Sequence, residues 1–316
     1  MNILVVGGTG FLGRRIVEKL LDKECQIIVM ARKSGSFPDY IKEKIKMAIG
    51  DIRILSDVIK IVKEYKVDRI IHSAYTLTAE GENNPYLAVQ VNILGTCNIF
   101  EAARLFGIKR VVFASSIAAY ADARHYGDNC VNEDELLLRP PSIYGASKVF
   151  NELIASKYEN KYGIEIVSVR ISAVYGLDRE DRGVTAWFSQ MLNTVVNNKE
   201  VELNIRPDQL SSFICVNDVA EQLVRLAFKE KLSHRLYNSG GATLTPYEFY
   251  EILKKYYPNA QVKFNENAPR WPYPPKVDGS RLEQEIDYKI KDPEDGVLEE
   301  LNRLRRMLNM STFSKK

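Results

Sequence analysis

The chain has 316 residues, of which 27% are charged and 45% are hydrophobic, and its net charge is +3. These values are typical of a globular enzyme with one large or two small domains, and so small a net charge argues against a nucleic-acid partner. Four scattered cysteines without a Cys-x-x-Cys pair, together with only three histidines, argue against a metal site. No apolar run is long enough to span a bilayer, and Met1 leads straight into a predicted strand, so we expect a cytoplasmic protein without a membrane partner.

Apolar runs alternate with helical patterns through the first half of the chain. The predicted strands are residues 2–6, 26–30, 46–49, 69–73, 110–115 and 165–170, and the predicted helices are 12–22, 54–65, 85–106 and 143–162. This alternation predicts an α/β fold of the Rossmann type, a doubly wound parallel sheet with helices on both faces. The second half is less regular, with helices predicted at 184–198, 217–229, 245–256 and 293–308. Four prolines exclude a regular helix over 268–275.

A glycine-rich turn follows the first predicted strand. Gly7, Gly10 and Gly13 are each three residues apart. The first glycine permits a tight turn, the second lets the backbone approach a pyrophosphate, and the third lets helix and strand pack closely. The phosphates then lie at the start of the following helix, near Phe11 and Leu12, where free N–H groups and the helix dipole favour anions. The pattern predicts a dinucleotide-binding site.

A second constellation carries acid/base chemistry. Ser115 and Ser116 end an apolar run, and Tyr144 and Lys148 stand one helical turn apart further along the chain. A phenol has an ordinary pKa of about 10, but a lysine ammonium at i+4 lies on the same helix face and favours the phenolate. Together with the glycine turn, these residues predict a hydride-transfer site.

With these residues in view, the sequence resembles the extended short-chain dehydrogenase/reductase family, the NAD-dependent epimerase/dehydratase family, over nearly the whole chain. Besides the glycine turn and the Tyr144-to-Lys148 stretch, the motifs are Gly50-Asp51-Ile52, Ile71-His72-Ser73-Ala74, Val91-Asn92-Ile93-Leu94-Gly95-Thr96, Ser115-Ser116, Arg170 to Gly176 and Phe213 to Asp218. The overall pattern, including Gly183 to Phe188, is most similar to sugar-nucleotide epimerases.

The resemblance implies catalytic roles. Ser116 is expected to hold the substrate oxygen, Tyr144 to be the acid/base, and Lys148 to bind the nicotinamide ribose and lower the pKa of Tyr144. Ser115 is expected to be only the packed neighbour of Ser116, and His72 to be a buried neutral histidine.

The resemblance also implies a set of cofactor-binding residues. They are Gly7, Gly10, Phe11, Leu12 and Gly13 at the diphosphate, Asp51 and Ile52 beside the adenine, Ala74 and Tyr75 beside the nicotinamide, Asn92 in the cofactor wall, Ser172 in the loop over the nicotinamide, and Tyr144 and Lys148.

One departure from the family pattern concerns the choice of cofactor. Family members that use NAD carry an acidic residue after the second strand, which accepts the hydroxyls of the adenosine ribose. Here Ala31 holds that position, followed by Arg32 and Lys33. An arginine binds a ribose phosphate that an acid would repel, so we expect Arg32 to bind NADP, with NAD as the alternative. The other interpretation is that Arg32 and Lys33 form an ordinary solvated turn.

Two further departures concern the substrate. Dehydratases of the family follow the substrate-holding hydroxyl with an acidic pair, but here Ile117 follows Ser116 directly, so dehydration is disfavoured. Ser211 stands where the family usually places an arginine that grips the substrate diphosphate. Arg270, and also Arg206, are the candidates to replace it. The alternative for Arg270 is a surface side chain stacked on its neighbour.

The sequence therefore predicts an enzyme that oxidises a carbinol to a ketone. Our first expectation is an NAD(P)-dependent epimerase of a sugar nucleotide, in which the ketone rotates before the hydride returns to its other face. The alternative is an NADP-dependent reductase or dehydrogenase of a sugar or a small carbonyl substrate. A third possibility is a nucleotide-sensing protein that has lost turnover.

The same patterns predict how the chain is organised. Residues 1–177, with 211–241 returning to them, are expected to form the dinucleotide-binding domain. Residues 178–210 and 242–316 are expected to form a smaller substrate-binding region. The resemblance implies a homodimer that pairs through the helices predicted at 85–106 and 143–162.

Overall fold

The structure is a computed structural model that describes residues 1–35, 37–76, 78–136, 138–179 and 183–315. Its strands within these ranges are β1 (Asn2–Val6), β2 (Gln26–Ala31), β3 (Ile45–Ile49), β4 (Arg69–His72), β5 (Arg110–Ser116), β6 (Glu165–Ile171), β7 (Ala173–Tyr175), β8 (Glu200–Leu203), β9 (Ser211–Cys215), β10 (Leu236–Asn238), β11 (Ala242–Leu244) and β12 (Gln261–Phe264). Its α-helices are α1 (Phe11–Leu20), α2 (Asp39–Lys42), α3 (Leu55–Glu64), α4 (Thr78–Asn83), α5 (Pro85–Ala88), α6 (Gly95–Phe106), α7 (Ile143–Tyr162), α8 (Ala186–Val196), α9 (Val216–Phe228), α10 (Pro246–Lys254), α11 (Ser280–Ile286) and α12 (Pro293–Met307).

The central sheet has seven parallel strands in the order β10-β6-β5-β4-β1-β2-β3. From β1 the chain first adds β2 and β3 on one side, and then crosses over to β4, β5 and β6 on the other. The doubly wound parallel sheet predicted from the sequence is thereby confirmed. The strand order reverses between β1 and β4, and in such sheets this point opens a crevice at the carboxyl ends of the strands.

Strand β1 shows why the sheet is covered on both faces. Ile3 and Val5 join the apolar core that contains α1 and α9, whereas Leu4 and Val6 join the core that contains α3 and α6. All four side chains are almost completely buried. Each such burial contributes roughly 1.5–3 kcal/mol, so a continuous apolar run is stable only in a central strand.

A third core lies among the elements of the second half, between α8, α10 and α12 and the small sheet β11-β9-β7. Its centre is aromatic, and the ring centres of Phe249 and Tyr175 are 4.9 Å apart, and those of Phe249 and Phe213 are 5.1 Å apart. A second small sheet pairs β12 with β8. The four helices predicted here are present, whereas the sequence did not indicate β7 to β12 or α11. The domain boundaries stay a prediction.

The segment predicted as one helix over 85–106 contains a wider turn. Helix α5 leads into a π-helical turn over Val89–Leu94, and α6 continues from Gly95. A π turn inserts one extra residue into the helix and is frequent at functional sites. Within the described ranges, none of the helices is long and apolar enough to cross a lipid bilayer.

Candidate active site

A cleft of about 610 Å³ opens at the carboxyl ends of β1 and β4, where the strand order reverses. This volume lies within the range of small-molecule sites. Most of the residues implied as cofactor-binding by the sequence line it, namely Gly7, Gly10, Phe11, Leu12, Gly13, Arg32, Asp51, Ile52, Ala74 and Tyr75. The topology of the sheet therefore brings together positions from four separate parts of the chain.

The glycine turn is packed so tightly that side chains have no room at two of its positions. Gly7 has a φ of +81°, and a Cβ on it would lie 2.8 Å from the backbone of Ala74. A Cβ on Gly13 would lie 2.1 Å from the carbonyl oxygen of Gly7. A Cβ on Gly10 would meet only the carbonyl oxygen of Gly7, at 3.3 Å, and would otherwise enter open space, so the absent side chain leaves a cradle.

Helix α1 begins directly after Gly10, which lines the cleft. Among the described residues, no side chain caps this end of the helix, and its first turn contains no acidic residue. The first N–H groups of a helix have no partner within the helix and favour an anion. The cradle and the helix end together fit the diphosphate of a dinucleotide.

The part of the cleft away from the glycine turn carries several charged residues. Ala31 and the exposed Arg32 line it, as does Asp51. Arg53 donates hydrogen bonds to both carboxylate oxygens of Asp51, at 2.5 to 3.1 Å, and these bonds hold the pKa of Asp51 below its ordinary value. The negative charge at this end is therefore already compensated by a neighbouring arginine.

Ser116 and Tyr144 meet at the end of β5. The phenol of Tyr144 lies close enough to the side chain of Ser116 for that hydroxyl to lower its pKa, and the Oγ of Ser116 accepts a hydrogen bond of 3.1 Å from the N–H of Ala118. Gly145 makes this approach possible, because a Cβ there would lie 2.1 Å from the carbonyl oxygen of Ala118. Ser142 caps α7 through the N–H of Gly145, at 3.0 Å, and so fixes Tyr144 in the first turn.

Lys148 lies on the same face of α7 as Tyr144 and is only 2% exposed. Its Nζ donates a hydrogen bond of 2.7 Å to the carbonyl oxygen of Ala114, and it lies 5.2 Å from the centre of the Tyr144 ring. Burial lowers the pKa of Lys148 to about 7, although the charge of Glu152 raises it.

The pKa of Tyr144 is raised well above its ordinary value. Burial is the largest cause, and the nearby hydroxyl of Ser116 and the charge of Arg179 oppose it. The net shift is therefore opposite in direction to the one that the sequence resemblance assigns to Lys148. Desolvation disfavours the phenolate more strongly in this structure than the neighbouring groups favour it.

Asn92 shapes the cleft from behind. Its side chain accepts a bond of 2.7 Å from the N–H of Thr76 and donates one of 3.2 Å to the carbonyl oxygen of the same residue, which lines the cleft. Its own carbonyl oxygen, in the π turn, accepts bonds from Thr96 and from Asn151 of α7. His72 is buried beside Thr96, and burial lowers its pKa to about 3, so it is neutral as expected.

Ser172, Arg206 and Arg270 are the remaining predicted residues. Ser172 is buried between β6 and β7, and its N–H donates to Ser239. The side chain of Arg270 is 59% exposed and bonds to Asp208 at 2.6 Å, and Arg206 bonds to the same carboxylate. Among the described residues, those that line the cleft do not include Arg206, Arg270, Asn92, Ser116, Tyr144, Lys148 or Ser172. Tyr144 and Lys148 nevertheless contact Tyr75 of the lining, with 5.7 Å between the two tyrosine ring centres and 5.3 Å from the lysine Nζ to the ring centre of Tyr75.

The structure adds residues that the sequence did not indicate. Asp178 and Arg179 line the cleft from the second half of the chain. Tyr273, from the proline-rich segment, lies close enough to Tyr144 for its charge to affect the pKa of that phenol. No local sequence pattern predicts these contacts. Gly145, next to Tyr144, could have indicated close packing, but the sequence analysis did not use it.

A cleft that fits a dinucleotide lies at the reversal point of the parallel sheet, and Tyr75 in its lining contacts Tyr144, with 5.7 Å between the ring centres. This arrangement, with Ser116 and Lys148 beside Tyr144, is typical of the short-chain dehydrogenase/reductase class. The chain belongs to the NAD dependent epimerase/dehydratase family, whose model matches residues 3–240. It is therefore an NAD(P)-dependent enzyme of the extended type.

The relatives divide between two activities. A putative UDP-glucose 4-epimerase of Methanocaldococcus jannaschii is 31% identical over 257 residues, which are 80% of this chain and 81% of that protein. The mitochondrial L-threonine 3-dehydrogenase of Bos taurus is 28% identical over 275 residues, 85% of this chain and 72% of that protein. The structure of a UDP-glucose 4-epimerase of Thermus thermophilus in complex with NAD has a TM-score of 0.79 and 26% identity, and the match covers 96% of this chain and 99% of that one. Family membership thus supports an epimerase or a dehydrogenase.

Proposed function

We propose that this enzyme moves a hydride between a nicotinamide cofactor and the carbinol carbon of its substrate. Tyr144 exchanges the proton of the substrate hydroxyl, Ser116 orients the same oxygen, and Lys148 supports Tyr144. The observation that carries the proposal is the proximity of Tyr144 to both Ser116 and Lys148, because the hydroxyl of Ser116 acts on the pKa of the phenol and the Nζ of Lys148 lies 5.2 Å from the ring centre.

The cofactor occupies the cleft in this proposal, and its bound nicotinamide supplies the hydride acceptor or donor. The glycine turn and the start of α1 hold the diphosphate, Asp51 and Ile52 border the adenine, and Ala74 and Tyr75 border the nicotinamide. We propose NADP as the preferred cofactor, with Arg32 as its phosphate-binding residue. In support, Arg32 lines the cleft, and the nearby Asp51 is neutralised by an arginine and so repels a ribose phosphate less.

The protonation of Tyr144 determines which half-reaction the free enzyme is ready to begin. Burial keeps the phenol protonated near neutral pH, so Tyr144 is ready to donate a proton to a ketone oxygen. Oxidation of a carbinol requires the phenolate instead. A positive charge on Lys148, 5.2 Å from the ring centre, stabilises that form.

Two substrate classes are compatible with this chemistry, and the placement of two arginines favours the smaller substrate. Arg206 and Arg270 are the residues that the sequence offers to bind a substrate diphosphate. Both are bonded to Asp208, and Arg270 is exposed outside the cleft. A dehydrogenase or reductase of a small carbinol or carbonyl compound does not need them. The sugar-nucleotide epimerase is the second candidate, and the 31% identical relative favours it.

A net-turnover assay distinguishes the two candidates. The purified protein is incubated with NADP or NAD and either L-threonine or UDP-glucose, the compounds named for its relatives. A dehydrogenase accumulates reduced cofactor in proportion to product, whereas an epimerase forms the epimer without net reduction. Tyr144→Phe is the control, because it must remove either activity. Tight cofactor binding without turnover of any carbinol, across a wider panel of sugars and alcohols, would support the nucleotide-sensing alternative.

We also propose that the enzyme is a homodimer that pairs through residues 85–106 and 143–162. Large apolar side chains are exposed along both segments, and where such side chains form a contiguous patch they mark a protein–protein interface. They are Tyr86, Val89, Leu94, Leu105, Phe106, Phe150, Leu153 and Tyr162.

A further inference from the structure

One segment of the second half, residues 176–179, reaches the cofactor cleft. Its last two residues, Asp178 and Arg179, line the cleft. The guanidinium of Arg179 lies 5.0 Å from the ring centre of Phe11, the first residue of α1, and donates a hydrogen bond of 3.1 Å to the carbonyl oxygen of Val174. This cation therefore faces the same helix end that fits the diphosphate.

The segment is held by a buried carboxylate on helix α12. Glu300 is completely buried, and it accepts a bond of 2.6 Å from the N–H of Leu177 and one of 2.8 Å from the side chain of Asn217. Arg15 of α1, only 1% exposed, lies 3.5 Å from Glu300 and 3.2 Å from Asp178. The cofactor helix, the segment and the C-terminal helix thus share one set of charges.

Two more charges complete this network. Arg303, one turn beyond Glu300 on α12, bonds to Glu18 of α1 at 2.9 and 3.0 Å and lies 3.8 Å from Asp178. Buried charges are costly unless each one is paired in good geometry. Movement of the segment away from α1 and α12 would therefore be unfavourable, because it would separate Asp178 from Arg15 and Arg303.

The backbone of the segment is itself constrained. Asp178 has a φ of +69°, in the left-handed region that few residues other than glycine adopt. Such a conformation costs of order 1 kcal/mol or more, persists where the surroundings impose it, and is common at ligand clamps. The contacts that hold the backbone here are the bond of 3.2 Å from Arg15 to the carboxylate of Asp178 and the bond of 2.6 Å from the N–H of Leu177 to Glu300.

We propose that the segment 176–179 is a clamp on the bound dinucleotide, in which Arg179 contacts the diphosphate and Arg15 and Glu300 are positioning residues. A guanidinium can bind phosphate oxygens with two parallel charge-assisted bonds. Arg179 would make these bonds from the side of the cleft that faces the N–H groups of α1. The inference rests on the proposed function, because the cleft must bind a dinucleotide. In addition, the affinity for the cofactor should depend on how α12 packs against the segment and α1.

The test is a set of calorimetric titrations of the full chain with NADP, NAD and ADP-ribose, which keeps the diphosphate. Adenosine, which lacks it, is followed by saturation-transfer NMR. The variants are Arg179→Gln for the contact, Glu300→Gln for the positioning, and both together. Asp178→Asn is a second positioning variant, since asparagine tolerates the left-handed conformation. Glu299→Gln is the matched control, because Glu299 is the neighbour of Glu300 on α12 and bonds to Lys291 instead of to the segment.

Arg179→Gln is expected to weaken ADP-ribose binding about tenfold to a hundredfold, the usual range for a hydrogen bond to a charged group. Glu300→Gln and Asp178→Asn are expected to weaken it at least about fivefold, as for a typical coupling between sites. The double variant should be no weaker than Arg179→Gln alone, because Glu300 acts through Arg179. Adenosine binding should be unchanged in every variant, and Glu299→Gln should match the wild type.

Wild-type ADP-ribose affinity in Arg179→Gln would overturn the clamp. Multiplying effects in the double variant would overturn the positioning role of Glu300, and equal losses for adenosine and ADP-ribose would show general unfolding instead of a lost phosphate contact. A wild-type protein that binds neither NADP nor NAD would overturn the proposed function and the clamp together.

Discussion

Replacement of Lys148 by methionine is expected to stabilise the folded protein near neutral pH while it removes turnover. Methionine keeps the length and the apolar character of the lysine stem and removes its charge. Lys148 is 2% exposed, and burial lowers its pKa from the ordinary 10.5 to about 7. A residue retained at such a cost indicates that function, and not stability, requires it.

The size of the effect follows from the pKa and from one hydrogen bond. Each unit of pKa corresponds to about 1.4 kcal/mol, so the buried ammonium costs the folded state up to about 5 kcal/mol at neutral pH. Methionine leaves the carbonyl oxygen of Ala114 without its donor, which costs about 1–3 kcal/mol. The variant is therefore expected to gain about 2–4 kcal/mol in its free energy of unfolding.

The stability advantage of Lys148→Met over the wild type must decrease as the pH rises. Between about pH 7 and 10.5 the unfolded chain keeps the lysine proton that the folded chain has lost, so wild-type stability rises with pH by up to about 1.4 kcal/mol per unit. Below about pH 7 both states are protonated and the cost is constant. The variant has no such group, so its advantage is largest at and below neutral pH.

Urea unfolding of the two proteins at about pH 7 and about pH 9 measures both effects. Lys157→Met is the matched control, since Lys157 lies exposed on the same helix and its replacement should change the free energy of unfolding little at either pH. Suppose that Lys148→Met is less stable than the wild type at neutral pH, or that its advantage is the same at both pH values. The ammonium would then be compensated by its neighbours, and burial would not dominate its energetics.

Four further outcomes test the proposals. Tyr144→Phe should lower turnover by about 10²–10⁴-fold with cofactor binding close to normal, and a residual rate above about a tenth of wild type in stopped assays would remove Tyr144 from the mechanism. NADP should bind more tightly than NAD, and Arg32→Ala should erase the difference in calorimetric titration; equal wild-type affinities would make Arg32 an ordinary turn residue. If Arg270 binds the diphosphate of a sugar-nucleotide substrate, Arg270→Ala should raise KM far more than it lowers kcat. An unchanged KM would favour the dehydrogenase of a small substrate. Leu153 is 58% exposed on α7, and Leu153→Glu should convert the dimer to a monomer, as measured by light scattering. A wild-type protein that is already monomeric would refute the homodimer directly.

The first half of the fold was predictable because its signals are local and strong. Strand β1 is a continuous apolar run, the glycines that follow have a fixed spacing, and α1 has one buried apolar face. The short strands of the second half lack such signals. Strand β7 has only three residues, and β9 is buried along its whole length although it begins with two serines. Their strand conformation depends on pairing with each other and with β11, which no local pattern encodes.

The candidate site divides in the same way. Ser116, Tyr144 and Lys148 could be found from their chemistry and spacing. Arg179 could not, because its place in the cleft depends on contacts such as that between Arg15 and Asp178, which are 163 residues apart in the sequence. The pKa of Lys148 was equally beyond prediction, since it depends on how completely the surrounding elements exclude water.

Three unusual local features lie around the same cleft, and one of them, the buried Lys148, argues against a protein that only senses a nucleotide. Asn92, in the π turn, bonds to Thr76 of the cleft lining. Asp178, which also lines the cleft, has a left-handed backbone conformation. Lys148 is buried one helical turn from Tyr144. Strain and buried charge are normally concentrated where chemistry requires them. A nucleotide sensor needs the wall and the clamp, but it gains nothing from an ammonium whose burial costs several kcal/mol next to a phenol. The retention of Lys148 beside Tyr144 is therefore best explained by proton transfer, and so by turnover.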